Sequence, residues 1–225
     1  MGKSHAVKTA LIVGGSQGIG RSLVQQFAEH RWRVIEASRN VGKDEANIQH
    51  DHVDLSDVAS IDAFVDRLQG TVFDLIHLNA GMIGDFAADA QTVAREAIAE
   101  LFYVNAVGPL RLAKRLLPLL QEDGVVAFTT SAMASMATYD SLGLPLYRAS
   151  KAALNSLTRD FYLDASQSRP ITVLNLHPGW VRTRLGGPTA PVSPEESARG
   201  LSAVIGERRD PGHYLFDYTG KALDW

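Results

Sequence analysis

Cysteine is absent from the chain, which excludes disulfides, thiolate nucleophiles and cysteine-ligated metals together. A basic excess is absent too. The 22 Lys and Arg stand against 25 Asp and Glu, a formal charge of -3, which speaks against a nucleic-acid surface. No long apolar run is free of charge: the most apolar window, Leu101 to Leu120, holds Arg111, Lys114 and Arg115 with Pro109 and Pro118, and a membrane span would not tolerate them. The opening MGKSHAVKTALIVGG has no small-residue cleavage site, and Ala6 stands where a myristoylation pattern needs Ser or Thr. These absences predict a soluble, cytoplasmic protein with neither membrane nor nucleic acid as a partner. Internal repeats, low-complexity tracts and linkers are missing as well, so residues 1–225 read as one domain.

Short β-rich runs are present: TALIVGG, RVIEAS, VFDLIHLNAG, GVVAFTTS and ITVLNLHPG. Continuous apolar runs of this length suit strands buried on both faces of a parallel sheet. Between them lie amphipathic segments at Gly20 to Glu29, Ser56 to Leu68, Ala90 to Val104, Leu110 to Gln121 and Tyr147 to Ala165, with a further helix starting at Ser193. The alternation predicts an α/β fold, a doubly wound, Rossmann-type parallel sheet with helices on both faces. In such sheets ligands bind beyond the carboxyl ends of the strands. Those ends are small or polar here: Gly14, Ser38, Asn79, Ser131 and Pro178-Gly179.

Val13 to Gly20, VGGSQGIG, follows the first strand and opens the first helix. Glycines there let a pyrophosphate approach the backbone at a helix N-terminus, although an ordinary βα turn needs similar residues. GSQGIGRS also nearly matches a phosphate-binding Walker loop, but Arg21 replaces the essential lysine and no magnesium partner is evident. The other reading is a dinucleotide site built on Gly14, Gly18 and Gly20.

YRASKAALN, Tyr147 to Asn155, reads as helix and carries Tyr147 and Lys151 four residues apart, with Cβ atoms roughly 6 Å apart on one face. A tyrosine ring packed in the core with a snorkelling lysine would give the same pattern. The chemical alternative is a proton donor beside a cation that favours its phenolate. Ser131 at a strand end could hydrogen-bond a developing oxyanion, or merely cap backbone. His177 has no metal-like neighbours in sequence, and no metal is expected.

Taken in order, Gly14-x-x-x-Gly18-x-Gly20, Asn79-Ala80-Gly81, Asn105, Ser131, Tyr147-x-x-x-Lys151 and Pro178-Gly179 resemble the short-chain dehydrogenase/reductase superfamily over nearly the whole chain. YRASKAALN, HPGWVRT and the closing FDYTGKALDW are similar to its C-factor and Sniffer-type carbonyl reductase branch. The resemblance implies Asn105, Ser131, Tyr147 and Lys151 as the catalytic set, Lys151 also holding the nicotinamide ribose and Asn105 anchoring a proton-relay water. It implies cofactor contacts from Gly14, Ser16, Gln17, Gly18, Ile19 and Gly20 in the loop, and from Asn79, Ala80 and Gly81. Asp54 and Leu55 fall at the adenine contact, an Asp54/Ser56 helix cap being the other reading. Pro178, Gly179, Val181 and Thr183 fall beside the nicotinamide. At the end of the second strand stand Ser38 and Arg39, which suit a 2′-phosphate and therefore NADP(H); Glu36, two residues earlier, could instead reach a ribose. Val13, where the family's turn usually has Thr, Leu78 and a long Ser131 to Tyr147 interval depart from the pattern.

The expected function is an NADP(H)-dependent oxidoreductase that reduces a small carbonyl compound, working as a homodimer or homotetramer. A cofactor-binding signalling or regulatory protein on the same fold is the alternative. Met133, Met136, Leu142, Leu144 and Leu146, with the Gly- and Pro-rich segment Gly186 to Pro194 as a loose lid, predict a pocket for a hydrophobic ketone, aldehyde or quinone.

Overall fold

Seven parallel strands form one sheet in the order β3-β2-β1-β4-β5-β6-β7. The computed structural model describes residues 7–85, 91–137, 143–207 and 209–225. The strands are β1 (Thr9–Val13), β2 (Arg33–Ser38), β3 (Ile48–His52), β4 (Phe73–Leu78), β5 (Leu120–Thr129), β6 (Thr172–His177) and β7 (Gly212–Asp217). The chain grows outward from β1 to β3, then returns so that β4 pairs the other side of β1. That reversal makes the crevice between β1 and β4 the switch point, where an open α/β sheet binds ligands.

Alternation along β1 divides the core. Leu11 and Val13 face one layer, with Ile61 and Phe64 of α2 (Val58–Arg67), Leu112 of α4 (Gly108–Leu116), and Leu154 and Phe161 of α5 (Pro145–Ala165). Ala10 and Ile12 face the other, with Leu23, Val24 and Phe27 of α1 (Gly18–Glu29) and Ala198 and Leu201 of α6 (Pro194–Gly206). Phe161 is 1% exposed, and its truncation to alanine would cost on the order of 3–5 kcal/mol.

Two strands lie outside the five apolar runs. β3, IQHDH, and β7, GHYLFD, are the sheet's edges, each with one neighbour, so their half-exposed residues have no continuous apolar run. The segments Ala90 to Val104 and Leu110 to Gln121 also need revision. Ala90 lies outside the described residues. Residues 91–94 are not helical; from Arg95 one helical path runs as α3 (Arg95–Phe102) through a π-helical turn at Tyr103–Val107 into α4, a 3-10 turn follows at Leu117–Leu119, and Leu120 and Gln121 already belong to β5. The cap of α2 is Asp57, whose side chain accepts from Ala59 N at 3.0 Å, rather than Asp54 or Ser56. Ser193 caps α6 by accepting from Glu196 N at 3.1 Å, ahead of Pro194.

Register puts the strand ends on one edge. Val13 lies level with Ala37 and Leu78, Leu78 with Phe128, and Thr129 with Leu176. Gly14, Ser38, Asn79, Ser131 and Pro178 therefore emerge together.

Candidate active site

The π-helical turn carries Asn105, which is fully buried. An extra residue in one turn shifts the side chains that follow, a device frequent at functional sites. Asn105 Oδ1 accepts from Met82 N at 2.8 Å, and Nδ2 donates to Met82 O at 2.7 Å and Ser150 Oγ at 2.9 Å. Its amide thus clamps the chain after Gly81 onto α5 and makes no bond to Lys151. Asn105 and Lys151 nonetheless border one notch: a Cβ on Gly81 would lie 3.2 Å from Lys151 Nζ and 3.3 Å from Asn105 Oδ1.

Helix α5 buries Tyr147, Ser150, Lys151, Leu154, Asn155, Thr158 and Phe161, a single face at helical spacing. It begins at Pro145, after Leu144 in the left-handed region at φ 53°, a strained setting for a residue before proline. Tyr147 is 8% exposed and Lys151 3% exposed. Lys151 Nζ donates to Thr129 O at 2.8 Å, and burial lowers its pKa to about 8. The Tyr147 phenol is pushed up by burial, opposed by its hydrogen bond with Ser131. The lowering expected from Lys151 is thus not found in the chain alone. The ammonium is directed at the end of β5, and desolvation of the phenolate dominates. Ser131 Oγ also accepts from Met133 N at 3.1 Å, so it caps the short turn after β5 while facing Tyr147.

Beneath the glycine loop lies a buried relay. Asn79 Nδ2 donates to Gly14 O at 3.0 Å, Thr129 Oγ1 donates to Asn79 Oδ1 at 3.0 Å, and His77 Nε2 meets Thr129 Oγ1 at 2.9 Å. The amides of Asn79 and Ala80 both donate to Val13 O at 2.9 Å. Gly14, at φ 86°, and Gly20 are required by close approach: a Cβ on the first would meet Ala80 at 2.7 Å and one on the second would strike Gly14 O. Gln17 stands just before α1, which opens with Gly18 and Ile19 and whose N-terminus has no side-chain cap hydrogen bond and no acidic residue in its first turn. A Cβ on Gly18 would sit 3.1 Å from Thr183 Cγ2, so the loop faces the segment after β6 across a narrow gap. An uncapped helix start behind close-packed glycines suits a pyrophosphate.

Ser38 Oγ donates to Asn40 O at 3.0 Å, and Arg39 is exposed beside it. Burial alone would raise the Asp54 pKa, but hydrogen bonds from Ser56 N (2.9 Å) and Ser56 Oγ (2.8 Å), with the charges of Arg39 and His52, hold it below the usual carboxylate range. Leu55 is buried, its carbonyl packed against Gly108. Glu36 is fully buried and engaged elsewhere: Oε1 accepts from Gly15 N at 3.1 Å and Oε2 pairs with His50 Nδ1 at 2.8 Å.

After β6, Pro178 O accepts from Ser197 Oγ at 2.7 Å, and Gly179 takes φ 86° against Tyr218. Val181 bridges Val192, while the Thr183 hydroxyl bonds Val181 O at 3.3 Å and Gly186 N at 3.1 Å. The expected loose lid is a closed loop. Arg182 N donates to Val192 O at 2.9 Å, Arg182 Nη1 to Pro191 O at 2.6 Å, and Trp180 Nε1 to Gly186 O at 2.7 Å.

A cavity of about 310 Å³ opens beside Tyr147, lined chiefly by Met82, Ile83, Leu101, Leu144 and Leu146. Of the expected pocket residues, Leu144 and Leu146 are among its walls, Met136 is 78% exposed, and Leu142 lies outside the described residues. Met82, Ile83 and Leu101 were not foreseen, because they come from loop and helix segments remote from Tyr147 in sequence. Thr129 and Ser150 were missed as well; the paired threonines of FTTS and the serine between Tyr147 and Lys151 were the available signals. Among the described residues no three His, Asp or Glu side chains group to hold a metal, and no helix is long and apolar enough to cross a membrane.

Known proteins resemble this chain in sequence and fold. The chain is 40% identical to C-signal of Myxococcus xanthus over 156 residues, 68% of this chain and 92% of that protein. A carbonyl reductase from Pseudomonas aeruginosa, solved in complex with NADP, is 37% identical, superposes with a TM-score of 0.88, and covers 98% of this chain and 100% of its own. Carbonyl reductase Sniffer of Drosophila melanogaster superposes at 0.86 with 26% identity, covering 98% and 100%. Residues 8–191, from β1 through the loop after β6, match the short chain dehydrogenase family. The glycine loop, the buried Asn105 and the Ser131, Tyr147 and Lys151 edge lie within that span, and the chain belongs to the short-chain dehydrogenase family.

Proposed function

We propose that this protein is an NADP(H)-dependent reductase of a carbonyl group in a hydrophobic ketone, aldehyde or quinone, with Tyr147 as general acid. The observation that carries the reading is the buried Tyr147 in the wall of the apolar cavity, with Lys151 fastened one turn further along α5. The glycine loop, the uncapped start of α1 and the Gly81 notch fit a dinucleotide, and the Pseudomonas carbonyl reductase carries NADP. When bound, NADPH supplies the hydride.

Tyr147 gives the carbonyl oxygen its proton as negative charge develops there. Burial raises the phenol pKa, so Tyr147 carries the proton that reduction requires. Ser131 steadies the same oxygen with a hydrogen bond, an interaction worth most in a site closed to water. Lys151, set against Thr129 O, faces the Gly81 notch, where it holds the nicotinamide ribose and replenishes the phenol proton. Asn105 fixes that notch by clamping Met82 to Ser150. Arg39 and Ser38, at the end of β2, receive the 2′-phosphate. Glu36 does not compete, because both of its carboxylate oxygens already have partners. A homodimer or homotetramer belongs to the reading; Leu163 on α5 is 48% exposed.

NADPH consumption with a panel of apolar ketones, aldehydes and quinones tests the proposal; no turnover of any of them, with NADPH bound, would sink it. The likeness to C-signal supports a second reading, a signalling role in place of catalysis. A biological effect that survives Tyr147→Phe would favour that alternative.

A further inference from the structure

Glu36 occupies an unusual place for a carboxylate. It lies in the middle of β2, level with Ile12 on one side and His50 on the other, and is fully buried. A charge removed from water persists only when it is paired and hydrogen-bonded. Both conditions are met by named atoms. Oε1 accepts from Gly15 N at 3.1 Å, and Oε2 meets His50 Nδ1 at 2.8 Å. His50 is itself held, its amide donating to Asp44 Oδ1 at 2.8 Å and its ring lying against Gly42.

The glycine loop depends on this arrangement. Gly14 is fastened through its amide to Ala37 O at 2.7 Å and through its carbonyl to Asn79. Gly15 is buried, and the Glu36 carboxylate is the acceptor that its amide meets. Val13, immediately before, has no polar side-chain atom with which to hold the turn. The fit is close: a Cβ on Gly15 would lie 2.6 Å from Glu36 Cγ and 2.8 Å from Val24 Cγ2. Beyond the Glu36–His50 pair opens a cavity of about 290 Å³, walled also by Ser16, Gln17 and Arg21.

We propose that Glu36, backed by His50, is the brace of the glycine loop and thereby a positioning residue for the cofactor. The inference rests on the NADP(H) reading and adds to it a residue that touches no reacting atom. Losing the acceptor leaves the Gly15 amide buried without a partner, and the loop then leaves its binding-ready shape.

Two variants separate the brace from mere structure. Glu36→Gln keeps an oxygen for Gly15 N, whereas Glu36→Met keeps the bulk and removes the acceptor. NADPH affinity is read by fluorescence titration, and exchange of the 14–20 amides is read without cofactor. Glu36→Gln should bind NADPH within about threefold of the parent, and Glu36→Met about tenfold or more weakly, the size of one orphaned buried donor. Turnover at saturating NADPH should stay close to the parent value, so the loss falls on KM. The Met variant should also exchange faster through residues 14–20. Equal loss in both variants, or parent-like binding by Glu36→Met, would overturn the proposal. If Glu36→Met does not fold, the parent decides: a Gly15 amide that exchanges as freely as an exposed one refutes the brace. A folded parent that fails to bind NADPH refutes the functional reading and the positioning role, and exchange still decides the brace.

Discussion

Acid should destabilise this protein through His77, and the size of the effect follows from its surroundings. His77 is fully buried in β4, with Nε2 at 2.9 Å from Thr129 Oγ1. The Thr129 hydroxyl donates its own proton to Asn79 Oδ1, so it receives one from His77 Nε2. This assigns the Nε2–H tautomer and leaves Nδ1 as a bare lone pair, consistent with its having no partner. Protonation would place a second N–H where no acceptor waits, and burial accordingly lowers the pKa from 6.5 to about 4. The folded value lies below the unfolded one, so the unfolded chain binds more protons between them. The contribution to stability is complete above pH 6.5 and is lost as pH falls toward 4. Between pH 7 and pH 4.5 the loss from this one ring is roughly 2 kcal/mol. Urea unfolding at both pH values measures it. His77→Leu should be less stable at pH 7, having lost the bond to Thr129, yet should show a fall with pH that is shallower by that amount. Parallel pH dependence in parent and variant would refute the argument, because the other titrating groups are common to both.

The acid assignment predicts that Tyr147→Phe keeps NADPH binding but lowers turnover about 10²-fold or more, read by steady-state kinetics; near-normal ketone reduction would overturn it. Lys151, at about 8, should bind the cofactor as an ammonium, so NADPH affinity should decline as pH rises through that value, and Lys151→Met should flatten the profile. Ser38→Asp combined with Arg39→Ile should shift kcat/KM from NADPH toward NADH by about tenfold or more, since a carboxylate repels the 2′-phosphate and the charge-assisted bonds are gone. A parent that prefers NADH would remove the basis for assigning Arg39. The internal hydrogen bonds of the loop from Trp180 to Val192 predict slow amide exchange at Arg182 and Val192 even without ligand, and rapid exchange there would restore a loose lid.

What the sequence revealed, and what it did not, divides along physical lines. β1, β2, β4, β5 and β6 are interior strands covered on both faces, so each needs a run of apolar residues, and each was visible. β3 and β7 are edges with polar or half-exposed residues, and periodicity does not mark them. The π-helical turn at Tyr103–Val107 was hidden because it exists to aim Asn105 at Met82 and Ser150, contacts between segments far apart in sequence. The direction of the Tyr147 shift was misread for a related reason. Spacing along α5 puts Lys151 near Tyr147, but the ammonium is claimed by a carbonyl on β5, which the helix alone cannot foretell. Glu36 was noticed as a rival ribose ligand; only the register of β2 with β1 and β3 sets it between Gly15 and His50.

Thr129 joins the two halves of the site. Its carbonyl takes the Lys151 ammonium, while its hydroxyl receives from His77 and donates to Asn79, whose own amide reaches Gly14 O. The end of β5 thus sets the helix that carries Tyr147 and the glycine loop against one residue. Neighbouring Thr130 donates to Asn155 Oδ1 at 2.7 Å, and Asn155 also accepts from Asn175 Nδ2 at 2.8 Å, which ties α5 to β6 from behind. Chains of buried hydrogen bonds are costly when half satisfied and rigid when complete. Here they run from the glycine loop through Thr129 to Lys151, so the placement of the loop against α5 is set by strand ends rather than by loops. The proposed reduction would demand such fixed geometry, since misplacement by about 1 Å can cost two orders of magnitude in rate.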